Sequence, residues 1–415
     1  MTMGRFIQGG WGQTPWKISF TARARALPEH VDFAIVGGGF TGLAAAAALA
    51  RLAPKKTVLL LEAGRVGNGA SGRTGGMVLA QTAAGDLPGL GDVVKNYRRI
   101  LAALRVTADL ELPGVWEIAR GEKSMEGKTV RALKDSPIDW QDSGRVRAVN
   151  KVPGGAVDAG KVVSGLARAA EEAGAQIAEK AEVYRIDFGN PLRLRIRRKW
   201  RGKAEKKIVS AGSVLLATNA GSLQLCGGLF GGEPAEPKLT FALATAPLTK
   251  KQIAALGLLS RRPFYSVDLP YLWGRLLKNG GLIVGSGLVP AFGESLRAER
   301  AGARPLKVWS GLERFDVRRG EPAARLRSLE ERVRGLHPVL KKVRVIRRWC
   351  GPILVTREFL PVFQKHPQNE KAIVLGGFSG HGVALSVYLG QWAAEAMLGR
   401  QTLPKWARTE RNEAG

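Results

Sequence analysis

The strongest constraint on this chain lies between Val31 and Glu62. Val31-Asp32-Phe33-Ala34-Ile35-Val36 is a short apolar run that reads as a buried parallel strand. Gly37-Gly38-Gly39-Phe40-Thr41-Gly42 follows at once, and Leu43 to Leu52 is an Ala-rich stretch that favours helix until Pro54 stops it. Thr57 to Glu62 reads as a second buried strand. The result is a β-α-β unit with G-x-G-x-x-G at Gly37, Gly39 and Gly42, and a carboxylate, Glu62, at the end of the second strand, twenty residues after Gly42. That context, rather than glycine spacing alone, marks a dinucleotide site. Gly37 permits the tight turn, Gly39 lets backbone approach a pyrophosphate at a helix N-terminus, and Gly42 allows close packing of helix on strand. Glu62 can accept two ribose hydroxyls, and its charge disfavours a 2′-phosphate.

Composition bounds the rest. The chain has 415 residues, 45% apolar and 24% charged, which excludes a disordered or collagen-like chain and leaves room for two or three domains. Two cysteines, Cys226 and Cys350, cannot make a disulfide framework or a four-cysteine zinc site, so a reducing compartment is expected. No segment reaches the roughly 18 apolar residues of a membrane span. The first residues lack a basic region followed by an apolar one, so the expected location is the cytoplasm. There is no G-x-S-x-G, H-E-x-x-H or C-x-x-C, so neither a hydrolase nor a metal enzyme is expected.

The net charge is +29 and is spread along the chain, with dense basic stretches at 193–207 and 297–348. Solvated faces are the plain reading. Attraction of acidic substrates, nucleic acid or anionic lipid is the sharper one. Leu192, Leu194 and Ile196 alternate with Arg193, Arg195 and Arg197, a period of two that packs the apolar side of a strand and sends the arginines outward. A turn at Arg201-Gly202 makes this strand half of a hairpin returning through Ile208-Val209, before a separate buried strand at 213–218. Trp11 and Trp16 are expected to anchor an N-terminal extension on the body. Helices are expected at 92–112, 162–173, 325–336 and 383–398, and residues 115–150 read as irregular.

A glycine-rich piece, Ala63 to Gly76, lies directly after Glu62. A nicotinamide enzyme has no evident use for it, whereas a flavin needs backbone N–H groups near its phosphates and ring nitrogens. Here the chain resembles the FAD-dependent amine and amino-acid oxidase family of the D-amino-acid oxidase or glycine oxidase type, and within it gamma-glutamylputrescine oxidoreductase-like proteins. The family pattern "GGGFTGL…LLEAG.(I/V)G.GASGRNGG" is nearly unbroken from Val36 to Gly76, with a departure at Thr74, where Asn is usual. Further matches are Leu216-Ala217-Thr218-Asn219-Ala220, Tyr271-Leu272-Trp273-Gly274-Arg275 and Gly376 to Val383, while residues 113–150 and 289–340 match least.

The resemblance implies an α/β fold with a discontinuous Rossmann-like FAD-binding domain (31–95, 152–230, 340–400) and a second, mixed antiparallel-sheet substrate domain (96–151, 231–339). Residues 1–30 and 401–415 would flank them. It implies FAD contacts at Gly37, Gly39, Phe40, Thr41, Gly42, Glu62, Ala63, Arg65, Ala70, Ser71, Gly72, Arg73, Gly75 and Gly76. It adds Val183 on the adenine side, then Thr218, Asn219, Ala220, Gly377, Ser379, Gly380, His381, Gly382 and Val383. Tyr271 and Arg275 are the implied substrate contacts, and His381 the candidate for proton transfer. Covalent flavin attachment occurs in some relatives. The matching position here is Gly351 rather than Cys350, so non-covalent FAD is expected. The implied reaction is oxidation of a primary or secondary amine by hydride transfer from its α-carbon to flavin N5. The imine is then hydrolysed, and O2 or a quinone accepts the electrons. The alternatives are an oxidase acting on an amine-modified tRNA base, which the charge would suit, and a flavin-bound interaction protein without turnover.

Overall fold

The computed structural model describes residues 10–119, 148–225, 235–267, 271–290 and 316–407. Cys226, most of the less-matched segment 113–150 and the N-terminal part of the 297–348 basic stretch lie outside these residues.

The β-α-β unit forms as the sequence dictates: β1 (His30–Val36), α1 (Phe40–Leu52) and β2 (Val58–Leu61). Near-continuous apolar strands can be buried on both faces, and alternate residues serve each face. Phe33 and Ile35 join a cluster with α1, while Ala34 and Val36 join the cluster on the opposite face. The chain continues through β3 (Met77–Leu79), α2 (Val93–Ala103), β4 (Val115–Ala119), β5 (Ala148–Val152), β6 (Gly154–Ala156) and α3 (Ala159–Glu172). Strands β7 (Gln176–Ala178), β8 (Ala181–Asp187), β9 (Leu192–Trp200) and β10 (Lys203–Leu216) follow. Next come β11 (Ala235–Pro247), β12 (Phe264–Ser266), β13 (Leu272–Leu276), β14 (Gly281–Pro290) and α4 (Gly320–Leu336). The last elements are β15 (Val345–Thr356), β16 (Val362–His366), β17 (Asn369–Gly376) and α5 (Gly382–Met397).

The first sheet runs β16-β17-β10-β1-β2-β7, with β9 and β8 continuing from β10. The β17-β10-β1-β2-β7 pairings are parallel. Helices α1, α2, α3 and α5 cover one face. The β8-β9 ribbon contributes to the apolar cluster on the other. The second sheet runs β15-β11-β14-β13-β12-β4-β5, antiparallel except for β12 with β4, and α4 packs on it.

The structure departs from the sequence reading at four places. Residues 345–356 were expected with the nucleotide-binding part, yet β15 pairs with β11 at the edge of the second sheet. The division at 95/96 falls inside α2, whose Tyr97, Ile100 and Leu101 pack in the helix layer of the first sheet. The return strand of the hairpin and the buried strand at 213–218 are one element, β10, ending at Leu216. It pairs with β9 through its first part and with β1 and β17 toward its end. The hairpin arginines are also not a bare positive face. Arg195 pairs with Asp187, Arg197 is bidentate to Glu182, and buried Arg198 pairs with Glu205.

Helix α5 crosses α1 where Gly390 meets Thr41, and a Cβ at Gly390 would lie 2.5 Å from the Thr41 carbonyl oxygen. Gly390→Ala should therefore destabilise the fold by about 1–3 kcal/mol. Gly335→Ala in α4, where a Cβ meets nothing within 4 Å, should stabilise it by about 0.5 kcal/mol. Thermal denaturation midpoints check both, and an unchanged midpoint for Gly390→Ala contradicts the helix crossing.

Candidate active site

One wall of the central cavity grows from the turn after β1. Gly37 has φ +110°, and a Cβ on Gly42 would collide with the Gly37 carbonyl oxygen, so α1 can start only where both are glycine. The N-cap of α1 is Gly39, which brings no side chain of its own to the helix start. The Gly38 N–H donates to Glu62 Oε2 (2.7 Å) and the Gly64 N–H to Glu62 Oε1 (2.8 Å). Burial pushes the Glu62 carboxyl above the ordinary carboxylate range, and those two N–H groups pull the other way. The Phe40 N–H donates to Ser71 Oγ (2.9 Å), which ties the glycine-rich segment over the turn.

The second contribution is the N-terminus of α5. Gly377, Ser379 and Gly380 all have positive φ, and His381 is an N-cap without a side-chain capping bond. The Gly377 N–H donates to Asn219 Oδ1 (3.0 Å) and the Ser379 N–H to the Leu354 carbonyl (3.2 Å), so both sheets hold this turn. Burial holds the His381 imidazole below its ordinary value. Ser386, one turn further along α5, lines the cavity, and its buried Oγ has no partner among the described residues.

The opposite wall is a row across the second sheet. Register places Glu117 beside Tyr265, Tyr265 beside Trp273, Trp273 beside Gly285, Gly285 beside Ala242 and Ala242 beside Trp349. Gly285 and Gly75 leave the space in which the Trp273 indole lies, since a Cβ on either would collide with it. Trp349 Nε1 donates to the Arg73 carbonyl (2.8 Å) and Trp16 Nε1 to the Thr74 carbonyl (2.7 Å).

Between these walls lies a cavity of about 540 Å³. It gathers Gly37, Gly39, Phe40, Thr41, Glu62 and Ala63 from the first unit, with Ala70, Ser71 and Arg73 from the glycine-rich segment. Val183, Thr218, Asn219 and Ala220 join them, as do Ser379, Gly380, His381, Gly382 and Val383, and Tyr271 from the other wall. Other expected contacts do not line it. Arg65 is exposed, Gly42 and Gly72 serve close backbone packing, and Gly377, at positive φ, packs against the Thr356 side chain. Gly75 and Gly76 make room for Trp273 and Arg275. Arg275 is corrected from substrate contact to clamp: it is buried, donates from Nη1 to the carbonyls of Gly76 (3.0 Å) and Val157 (2.8 Å), and lies over the Trp16 ring. Sequence reasoning missed Glu117, Tyr265, Gln81, Trp273 and Ser386 as lining residues.

The donor set fits a bound dinucleotide. The first turn of α1 borders the cavity with only its Phe40 N–H met by a side chain, Ser71, the start of α5 borders it too, and the Ser386 Oγ, unpartnered among the described residues, lies in its wall. The helix starts on one side and the sheet wall on the other leave between them a space of the kind that holds an extended dinucleotide.

The comparisons agree. The family model of FAD dependent oxidoreductases (DAO) matches residues 32–396, and the chain belongs to that family. Gamma-glutamylputrescine oxidoreductase of Escherichia coli (strain K12) is 26% identical, over 89% of this chain and 84% of its own length. Glycine oxidase of Geobacillus kaustophilus (strain HTA426) is 24% identical, over 91% of this chain and 95% of its own. The crystal structure of glycine oxidase from Geobacillus kaustophilus superposes with a TM-score of 0.69 at 22% identity, covering 92% of this chain and 98% of that one. L-proline dehydrogenase from P. horikoshii superposes with a TM-score of 0.64 at 19% identity, covering 92% and 97%. These likenesses bear out the mixed α/β fold expected from the sequence. No helix among the described residues is long and apolar enough to cross a membrane.

Gly285→Ala should push the Trp273 indole out of its slot and cost about 1–3 kcal/mol. The near-UV circular dichroism of the tryptophans should change with the denaturation midpoint. Unchanged spectra and midpoint would contradict this placement.

Proposed function

We propose that the protein oxidises a primary or secondary amine, using FAD held non-covalently in the cavity. The observation that carries this reading is that one cavity joins the α1 turn, Glu62 and the α5 N-terminus to the sheet wall of Tyr265, Tyr271 and Trp273. Glu62 would accept the ribose hydroxyls, Val183 would border the adenine, and the first turn of α1 would hold the pyrophosphate. When bound, FAD supplies the two-electron acceptor for the C–H bond beside the amine nitrogen, with O2 or a quinone as the final oxidant. The α5 N-terminus brings free N–H groups and the positive end of its dipole to the cavity, which favours negative charge there. His381, held toward its neutral form by burial, offers a hydrogen-bonding ring rather than a second positive charge. Tyr271, exposed just before β13 and lining the cavity, would touch substrate, while Trp273, Leu272 and Ile353 would keep water from it. Non-covalent binding is supported by Cys350, which packs in the apolar cluster of the second sheet with its thiol pushed up by burial, while Gly351 lines the cavity.

The direct test is anaerobic flavin bleaching against amino acids, N-methyl amino acids and polyamine derivatives. One amine class should bleach the flavin. A flavin that dithionite reduces and no amine does would refute the reading. Glu62→Arg should raise the FAD dissociation constant about tenfold or more, the weight of lost hydrogen bonds to a charged acceptor at about 1.5–3 kcal/mol. Unchanged affinity by flavin titration would remove Glu62 as the ribose acceptor.

A further inference from the structure

One buried hydroxyl in the cavity wall lacks the bond that its place in a helix offers. Ser386 is 5% exposed on α5, and its Oγ has no hydrogen-bond partner among the described residues. A serine inside a helix can return its hydroxyl to the carbonyl four residues back. Buried Ser164 in α3 does so, donating to the Gly160 carbonyl (2.7 Å) and accepting from the Ser19 N–H (2.9 Å). Ser386 has Gly382 at the same spacing and makes no such bond. An unmet buried hydroxyl is a cost to the fold, and this one lines the cavity, where a ligand can meet it.

The helix crossing fixes where the hydroxyl stands. Gly390 of α5 packs on the Thr41 carbonyl in the first turn of α1. Residues four apart share a helix face, so Ser386 lies on the α5 face that meets α1, about 6 Å of rise nearer the α5 start. Both helix starts border the cavity, so α5 runs on past the α1 start and carries Ser386 into the space before it. Unmet N–H groups and the positive ends of two helix dipoles converge there, and Ser71 Oγ meets only the Phe40 N–H of α1 (2.9 Å). A neutral donor at two positive dipole ends suits an anion. Of the parts of oxidised FAD, only the diphosphate carries charge. Ser386 lies outside the glycine motifs at both helix starts, so no motif points to it.

Resting on the FAD-binding part of the amine-oxidation reading, we propose that Ser386 Oγ donates to the diphosphate of the cofactor, completing from α5 the anion site that the α1 turn begins. The same hydroxyl then acts in opposite directions in the two states of the protein: unmet without FAD, where it weakens the fold, and paired with FAD, where it strengthens binding.

The test uses the full-length protein with and without FAD. It reads FAD affinity from quenching of flavin fluorescence and stability from thermal denaturation, neither of which requires turnover. Ser386→Ala should raise the FAD dissociation constant about tenfold or more. The midpoint of the FAD-free variant should stay level or rise, since alanine removes the unmet hydroxyl and favours helix. The gain in midpoint on adding FAD should shrink. Competition by ADP and by adenosine locates the contact: the variant should lose affinity for ADP and keep its affinity for adenosine. Unchanged FAD affinity overturns the proposal, as does a loss that spares ADP or falls equally on adenosine. A FAD-free variant that melts lower or fails to fold overturns it too, because the hydroxyl then serves the fold itself. FAD affinity that follows Ser386 while no amine bleaches the flavin would refute amine oxidation and leave this contact standing. Bleaching by an amine, with FAD affinity unchanged in the variant, would do the reverse.

Discussion

The cavity depends on two helix N-termini whose N-cap residues make no side-chain capping bond, those of α1 and α5. The first N–H groups of a helix have no partner within it, and they carry the positive end of its dipole. A chain normally satisfies them with Ser, Thr, Asp or Asn at the N-cap. Here the N-cap residues are Gly39 and His381, and neither makes a side-chain capping bond. The contact at Gly390 and Thr41 packs the two helices together, and the starts of both border the same space. The unpartnered Ser386 Oγ adds a polar group to that space. A protein that bound nothing there would leave several polar groups unsatisfied at once.

The second sheet is locked to this pair of helices through the glycine-rich segment. Indole N–H groups of Trp16 and Trp349 hold the carbonyls of Thr74 and Arg73, Arg275 holds Gly76, and Trp273 fills the space beside Gly75. Most of these bonds join residues far apart in the chain, so the segment ties the N-terminal lead-in, both walls and β15 together. Gly75 thus serves packing against the Trp273 indole and Gly76 close approach to the Val157 carbonyl, roles that the same residues in a sequence do not distinguish from contact with a cofactor.

The first wall was legible because its determinants are local. Gly37, Gly39, Gly42 and Glu62 lie within one β-α-β unit whose strand and helix periods are plain in the residues themselves. The second wall was not. Glu117 and Tyr265 are 148 residues apart, and their meeting depends on a parallel pairing between strands of five and three residues. Strand β4 has too few residues for its alternation to stand out, and its surroundings read as irregular. Arg275 shows a related limit: a strand pattern gives the face a side chain occupies, but not what packs above it. Here that is Gly76, Val157 and Trp16 rather than open cavity. The arginines of β9 fall under the same rule, since their carboxylate partners come from β8 and β10 through register.

Those pairings also change what the net charge means for recognition. Arg195, Arg197 and Arg198 are each matched to a carboxylate, so part of the most basic hairpin is internally compensated. The remaining excess acts through solvent over a Debye length of about 8 Å at physiological salt. Such a field changes how often a charged molecule arrives, and for a cation it lowers that rate. It cannot choose between amines once they are inside. Choice must come from groups at contact distance in a space poor in water, where a near group outweighs a distant positive surface. The basic exterior therefore governs encounter, while discrimination among molecules that have entered falls to the residues lining the cavity.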